Sequence, residues 1–361
     1  MPYTYKDVMK RLNTLHPWAK SLHPGKSLAP PYKPSEEKKE GCKIAFAVED
    51  MVRHTTNEGW QVMLALQANG YTLAGKNCTI NCQDIKQVVE KYNPSTVLVQ
   101  DVREWSADSG CCKDASFAFT NSKYLADRPD IFKLTIVKDS QHNPDYHKRY
   151  ADLISCNAWI VYYNPKIVCY TAPYVRPEHI IRTWHTIDPK LIPVYTPKGR
   201  KPLSALLSGA ISRYYPLRQQ IRSNISSLQC VDQLVHPGYH NRGSNTPNYL
   251  KVLSKYKVAI CTSSIYGYAL RKIVEASACG CIVITDLPDD EVMPGLDPNL
   301  IRVSPYINMN DLKSLVMSLL NEYDEERQKF FSEQAIVHFN YAKMGENLAA
   351  DIEKMRLAYN D

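Results

Sequence analysis

Short apolar runs alternate with amphipathic stretches along most of the chain. The first run, Lys43–Val48, ends at two acidic residues and predicts a buried strand. Apolar positions at helical spacing over Trp60–Ala68 predict a helix. The same half contains a predicted helix over Asp84–Tyr92 and predicted strands over Thr96–Val99, Lys133–Val137 and Ala158–Tyr163. Strands that alternate with helices predict a parallel sheet covered on both faces.

The alternation returns after a stretch with proline and glycine at Val194–Lys201. A helix is predicted over Ala269–Ala278, and strands are predicted over Leu203–Leu207, Val231–Val235, Lys257–Cys261 and Cys281–Thr285. Two helices are expected within Ser314–Ala350, the second crossing back onto the first domain.

The pattern therefore predicts three parts of the chain. Residues 1–40 are rich in proline, lysine and serine and read as an arm, with a short helix at Tyr5–Leu15. Residues 41–196 form a first α/β domain, and residues 197–361 form a second one that ends in closing helices.

Composition narrows the class of protein. A length of 361 residues suits two domains, and 44% hydrophobic with 22% charged residues is typical of a folded protein. The apolar runs are too short to span a bilayer, and no secretory signal is recognisable. Eleven irregularly spaced cysteines favour a reduced, cytoplasmic protein over a disulfide framework. A net charge of +7 is compatible with a phosphate-bearing ligand, an anionic membrane surface or nucleic acid.

The segment Val258–Pro288 carries the most informative chemistry. A predicted helix opens with Arg271 and Lys272, and Glu275 follows four residues after Arg271 on the same face. A helix N-terminus with added positive charge suits a diphosphate, and the carboxylate suits ribose hydroxyls. The alternative is an ordinary i, i+4 salt bridge on a structural helix.

The same segment resembles a known family. The pattern Arg271-x-x-x-Glu275-Ala-x-Ala278-Cys-Gly280, followed by Val283-Ile-Thr-Asp286-x-Pro288, resembles the C-terminal signature of GT-B glycosyltransferases. The closest resemblance is to their spore-maturation-protein-like branch, and it covers about residues 200–350. It implies two Rossmann-like domains whose parallel sheets face a central cleft, with a nucleotide-sugar donor held mainly by the second domain.

The resemblance also assigns roles to residues. It implies that Glu275 binds the nucleotide ribose, and that Arg213 binds phosphate. The diphosphate would lie at the helix start, on Arg271, Lys272 and the backbone of Tyr268 and Ala269. Gly267 stands where many retaining members carry a glutamate that contacts the sugar. The family usually needs no metal, so no cofactor is expected besides the donor, and His236 and His240 are expected to line a loop rather than bind zinc.

Catalytic candidates follow the strands of the first domain, because ligands lie beyond the carboxyl ends of parallel strands. A carboxylate or histidine there can take a proton from an acceptor hydroxyl. The candidates are Asp101, His54 and Asp139. Each has a structural alternative, such as helix capping or, for Asp101, pairing with Arg103. In a retaining enzyme, a phosphate oxygen of the donor can serve as the base instead.

The leading hypothesis is transfer of a sugar from a nucleotide-sugar to an unidentified glycan, small-molecule or nucleic-acid acceptor. One alternative is a glycosyltransferase acting on hydroxylated bases in DNA, which the positive charge permits. Another is an inactive nucleotide- or sugar-binding module of the same fold, which Gly267 favours. An epimerase is disfavoured because no G-x-G-x-x-G loop follows the first strand.

Overall fold

The computed structural model describes residues 2–15, 41–47, 58–100, 119–141, 144–195, 201–236 and 245–359. The chain divides into two compact units. The first unit contains Trp18–Trp184 and Tyr341–Asp361, and the second contains Met1–Pro17 and His185–Asn340. Within the described residues, no helix combines the length and apolar character needed to cross a membrane.

The first unit is built on a six-stranded parallel sheet in the order β2-β1-β3-β4-β5-β6. Its side chains are buried on both faces; Ile44, Leu98 and Ile160 have no exposed surface, as expected where helices cover both faces. The strands are β1 Lys43–Phe46, β2 Tyr71–Ala74, β3 Thr96–Val99, β4 Phe132–Val137, β5 Ala158–Val161 and β6 Ile180–Arg182.

The helices of the first unit connect these strands and add a final helix from the end of the chain. Asp84 caps α3 by accepting a hydrogen bond from the Gln87 N–H at 3.1 Å. The helices are α2 Glu58–Ala68, α3 Ile85–Tyr92, α4 Pro144–Ile154, α5 Pro165–Thr171 and α11 Tyr341–Ala358, with 3₁₀ turns at Ser122–Asp127 and Pro177–His179.

The second unit contains a five-stranded parallel sheet in the order β11-β10-β9-β7-β8. Leu207, Ile260 and Ile284 from three neighbouring strands form part of one buried apolar cluster. The strands are β7 Lys201–Ser208, β8 Val231–Leu234, β9 Tyr256–Ile260, β10 Ile282–Thr285 and β11 Leu300–Arg302. The helices are α1 Tyr5–Leu15, α6 Pro216–Ser223, α7 Asn245–Leu253, α8 Arg271–Ala278, α9 Met309–Asn321 and α10 Glu325–Phe339, with 3₁₀ turns at Pro189–Leu191 and Asp297–Asn299.

The predicted parallel α/β architecture of both halves is confirmed, and most predicted strands lie within a residue or two of the observed ones. The missed strands are β2, β6 and β11. Two of these, Ile180–Arg182 and Leu300–Arg302, are only three residues long, and so short an apolar run has no readable period.

The unit boundaries differ from the predicted division at residues 40 and 196. The start of the chain belongs to the second unit because α1 buries Tyr5, Val8 and Leu12 there, with at most 1% of each side chain exposed. The end of the chain, from Tyr341 onward, belongs to the first unit. There α11 packs on α2, and Glu353 pairs with Lys43 of β1 at 3.0 Å.

Contact between α2 and α11 depends on Gly345. A Cβ at this position would overlap the Cβ of Ala65 and lie 2.9 Å from its carbonyl carbon. The two helix backbones therefore approach more closely than any larger residue would permit.

We predict that Gly345→Ala lowers the stability of the first unit by about 1–3 kcal/mol, because overpacking outweighs the gain in helix propensity. Urea unfolding followed by tryptophan fluorescence is the measurement. All five tryptophans lie within Trp18–Trp184, so the signal reports the first unit. Asn347→Ala, at an exposed position of the same helix, is the matched control. Equal midpoints for Gly345→Ala and the parent protein would contradict the proposed close approach.

Candidate functional site

The second sheet has its topological switch point between β7 and β9. The chain leaves β7 for β8 on one side of the sheet and returns to β9 on the other. Loops diverge at such a point and leave a crevice at the carboxyl ends of the strands, where ligands of this sheet class bind. Ser208 ends β7, Thr262 lies just past β9, and His236 lies just past β8.

Arg218 of α6 joins the ends of β7 and β9. Its guanidinium donates to the Ala210 carbonyl oxygen at 2.7 Å and to Thr262 Oγ1 at 2.8 Å, and only 2% of the residue is exposed. It also lies over the ring of Tyr215, 3.9 Å from the centroid, which favours a cation.

Gly209 makes room for this guanidinium. The glycine has φ +112°, and a Cβ there would lie 2.5 Å from Nη1 of Arg218. Only glycine combines this backbone conformation with the absence of a side chain. The backbone of the turn after β7 therefore lies directly against the Arg218 guanidinium.

Lys272, the second residue of α8, adds a second cation at the same place. Its Nζ donates to Ser208 Oγ at 3.4 Å and lies 4.4 Å from the centroid of the Tyr249 ring. The Tyr249 hydroxyl and Ser208 Oγ are 2.8 Å apart in a further hydrogen bond. Burial lowers the pKa of Lys272; Glu275 opposes this change, and the charge of Arg218 adds to it.

Arg271 and Glu275 form the predicted i, i+4 pair, with Nε 3.1 Å from Oε1 and side chains that are 10% and 6% exposed. The pair does not use all the donors of the guanidinium. Nη1 of Arg271 is buried and has no hydrogen-bond acceptor among the described residues. Leu270 at the N-cap contributes no side-chain hydrogen bond either, so the first N–H groups of α8 also have no side-chain partner from the cap.

The positive charges at this site also affect the pKa of His236. Burial lowers the pKa of its imidazole, and the charges of Lys272 and Arg218 lower it further, so the neutral form prevails at pH 7. His240, its predicted neighbour in the loop, lies outside the described residues. The described part of the chain contains no group of three or more His, Cys, Asp or Glu side chains arranged to hold a metal ion.

Three cations, Arg218, Lys272 and Arg271, thus converge with one carboxylate, Glu275, at the switch point of the sheet. Such an excess of largely buried positive charge is costly without an anion. The arrangement can therefore bind an anionic group with several oxygens, for which guanidinium forks are well shaped.

The other residues predicted for this site are Arg213, Tyr268 and Ala269. Arg213 is exposed and lies over the Tyr214 ring at 5.5 Å, while the basic residue that bonds to the loops after β7 and β9 is Arg218. Tyr268 is buried and stacks on Tyr266 at 5.4 Å, and Ala269 is buried beside it. Arg218 follows the buried Leu217 and precedes the buried Ile221 by three residues in α6, which was the available signal that it faces inward.

The catalytic candidates belong to the first sheet. His54 and Asp101 lie outside the described residues. In the chain they follow β1 and β3, the neighbouring strands at which the order of the first sheet reverses. Asp139 is half-buried, two residues beyond β4.

Comparison with known proteins bears on the fold. No protein-family model and no curated protein matches the sequence. Solved glycosyltransferase structures do match, over nearly the whole chain. A glycosyltransferase from Rickettsia africae matches with a TM-score of 0.54 at 12% identity, over 88% of this chain and 99% of its own. A sucrose-phosphate synthase from Thermosynechococcus elongatus matches with a TM-score of 0.53 at 11% identity, over 88% of this chain and 100% of its own.

A third match is an alpha-glucosyltransferase solved in complex with UDP-glucose and DNA containing an abasic site. It has a TM-score of 0.53 at 11% identity and covers 86% of this chain and 99% of its own. The two parallel sheets of this α/β chain match the fold of these GT-B glycosyltransferase neighbours. The chain has the GT-B fold. Likeness at this level of identity establishes the architecture, and function must be argued from the site.

Asp286 lies at the carboxyl end of β10, beside the loop that leads into α8. One carboxyl oxygen accepts the Ser263 N–H at 2.5 Å, and 1% of the residue is exposed. Burial raises the pKa of Asp286 to about 6, against the lowering effects of Ser263 and of the Arg11 charge. The folded protein therefore holds a proton here that the unfolded chain releases near its ordinary pKa of 3.8.

We predict that Asp286→Asn flattens the pH dependence of stability between about pH 4 and 6. In the parent protein the folded state keeps the Asp286 proton across this window while the unfolded state loses it, so stability falls as pH rises. The asparagine keeps an acceptor for Ser263 and removes the titration, which amounts to about 2–3 kcal/mol across the window. Chemical denaturation followed by circular dichroism at several pH values measures the slope; identical slopes for the two proteins would contradict the buried, protonated carboxyl.

Proposed function

We propose that the protein is a glycosyltransferase that binds a nucleotide-sugar in its second unit and transfers the sugar to an acceptor hydroxyl. The observation that carries this proposal is the convergence of Arg218, Lys272 and Arg271 at the switch point of the second sheet. The GT-B fold and the resemblance of the Arg271–Pro288 segment to the spore-maturation-protein-like branch support it.

The donor diphosphate is assigned to the crevice beside Gly209. Lys272 and Arg218 neutralise its charge in place of a metal ion, and Arg271 offers the donor group on Nη1 that has no described acceptor. The backbone of Tyr268 and Ala269 leads into the same helix start. Glu275 remains the assigned ribose ligand, since its carboxylate lies on the same face as Arg271.

A thermal-shift screen tests the proposal. UDP, GDP, CDP, dTDP and ADP are compared with their common sugar conjugates, because a ligand that binds only the folded state raises its stability. We expect one nucleotide family to raise the melting temperature clearly. Several neighbours were solved with UDP or UDP-glucose, which makes uridine the first nucleotide to test. If none of these ligands raises the melting temperature, the proposed donor site is overturned.

Replacement of Arg271 separates the donor site from a structural ion pair. Arg271→Met should weaken binding of the nucleoside diphosphate by about ten- to a hundredfold, because a charge-assisted hydrogen bond to phosphate is lost. Isothermal titration calorimetry measures the affinity.

Arg222→Met, in α6, is the matched control, since it removes the same charge at an exposed position of the same unit. Its affinity should stay within about twofold of the parent value. If Arg271→Met lowers only the melting temperature and leaves affinity unchanged, Arg271 is merely the partner of Glu275.

The base for the acceptor hydroxyl is assigned to the first unit, with Asp101, His54 and Asp139 as candidates. Assistance by a donor phosphate oxygen is the alternative that needs none of them. The substitution that abolishes sugar transfer while sparing nucleotide binding identifies the base; full turnover by all three variants would favour the phosphate.

The assay of sugar transfer can also identify the class of acceptor. A DNA acceptor is favoured by the net charge of +7 and by the neighbour solved with DNA, so duplexes with hydroxymethylated bases belong in the acceptor panel beside sugars and glycans. An inactive binding module would bind the nucleotide-sugar and show neither transfer nor donor hydrolysis.

A further inference from the structure

The first helix is attached to the ligand edge of the second sheet. The Tyr3 N–H donates to Asp289 Oδ2 at 2.7 Å, and the Asp289 N–H donates back to the Tyr3 carbonyl at 2.6 Å. The Tyr5 N–H donates to Asp290 Oδ1 at 2.8 Å. These acceptors and donors lie in the loop that follows β10, and the buried face of α1 fixes the helix there.

Tyr5 fastens α1 to the loop after β9 as well. Its hydroxyl donates to the Gly267 carbonyl oxygen at 2.8 Å, and 1% of the residue is exposed. Gly267 has φ +68°, and a Cβ there would lie 3.1 Å from Cε1 of Tyr5 and 2.9 Å from Cγ of Pro288. Tyr5 and Pro288 thus fill the space that a side chain at position 267 would occupy.

Arg11 contacts the same loop, and two nitrogens of its guanidinium donate no hydrogen bond to the described residues. Its Nη2 donates to the Ile265 carbonyl oxygen, while Nε and Nη1 are buried and have no acceptor among the described residues. Buried N–H groups without an acceptor cost free energy, so a guanidinium in this state is suited to a ligand with oxygen acceptors. Asp286 lies near enough for the charge of Arg11 to favour its ionised form.

The position of Arg11 indicates which part of a donor it meets. The cation cluster lies between the ends of β7 and β9, whereas Arg11 contacts Ile265 in the loop after β9 and interacts with the charge of Asp286 at the end of β10. Strand β10 is the neighbour of β9 at about 5 Å, so Arg11 lies toward the strand end next to the cluster. A pyranose ring attached to a diphosphate spans such a distance.

We propose that Arg11 binds the glycosyl group of the nucleotide-sugar through hydroxyl oxygens, so that α1 is a part of the donor site that selects the sugar. This proposal rests on the proposed function, and it extends the site to a residue 254 positions before Ile265 in the chain. Glycine is then required at position 267 because Tyr5 of α1 occupies the space of a side chain there.

The test compares binding of the nucleoside diphosphate with binding of its sugar conjugate by isothermal titration calorimetry, using the pair found in the screen. Arg11→Met should lower the affinity for the sugar conjugate by about ten- to a hundredfold, because buried hydrogen bonds to the sugar are lost. The affinity for the nucleoside diphosphate, which has no sugar at this position, should stay within about twofold of the parent value. Arg11→Lys keeps the charge without the fork and should fall between Arg11→Met and the parent protein.

Lys10→Met is the matched control, because Lys10 is an exposed cation on the same helix; it should bind both ligands as the parent does. Equal weakening of both ligands by Arg11→Met would show that α1 only supports the fold and would overturn the proposal. Stronger binding of the conjugate by Arg11→Met would show that α1 blocks the site and would also overturn it. Failure of the parent protein to bind either ligand would instead reject the donor site as a whole.

Discussion

The buried guanidinium of Arg218 organises the ligand edge of the second sheet. By bonding to the Ala210 carbonyl and to Thr262, it holds the loops after β7 and β9 at a fixed separation. Gly209 is required because the guanidinium occupies the space of its missing side chain. Parallel sheets open a crevice at a switch point by topology alone, but here one cation determines its shape.

The charges beside this crevice are mostly positive. Lys272 and Arg271 add to the charge of Arg218, and Glu275 is the carboxylate that opposes them at the helix start. The pKa of Lys272 is lowered first by burial and then by these cations. A nearby anion would stabilise the charged form of Lys272 and so oppose both effects, because opposite charges attract strongly where water is excluded.

The N-terminal helix joins the same edge from the other end of the chain. Its contacts with the loops after β9 and β10 are hydrogen bonds to backbone groups and to the carboxylates of Asp289 and Asp290, together with a buried aromatic and aliphatic face. Tyr5 occupies the space beside Gly267, where the resemblance would place a glutamate side chain. The glycine is therefore required by the packing of α1. This edge of the sheet therefore joins chain segments separated by more than 250 residues.

The sequence by itself determined the alternation of strands and helices, down to the bounds of Thr96–Val99, because burial of a parallel strand leaves a continuous apolar run. It also placed Arg271 and Glu275 on one helical face, since that depends only on the helical period. Only the tertiary structure decided that Arg218 bonds to the loops after both β7 and β9, and that Arg11 reaches the loop after β9. Local periodicity reports which side of an element is buried, whereas the partner of a buried side chain is set by long-range packing.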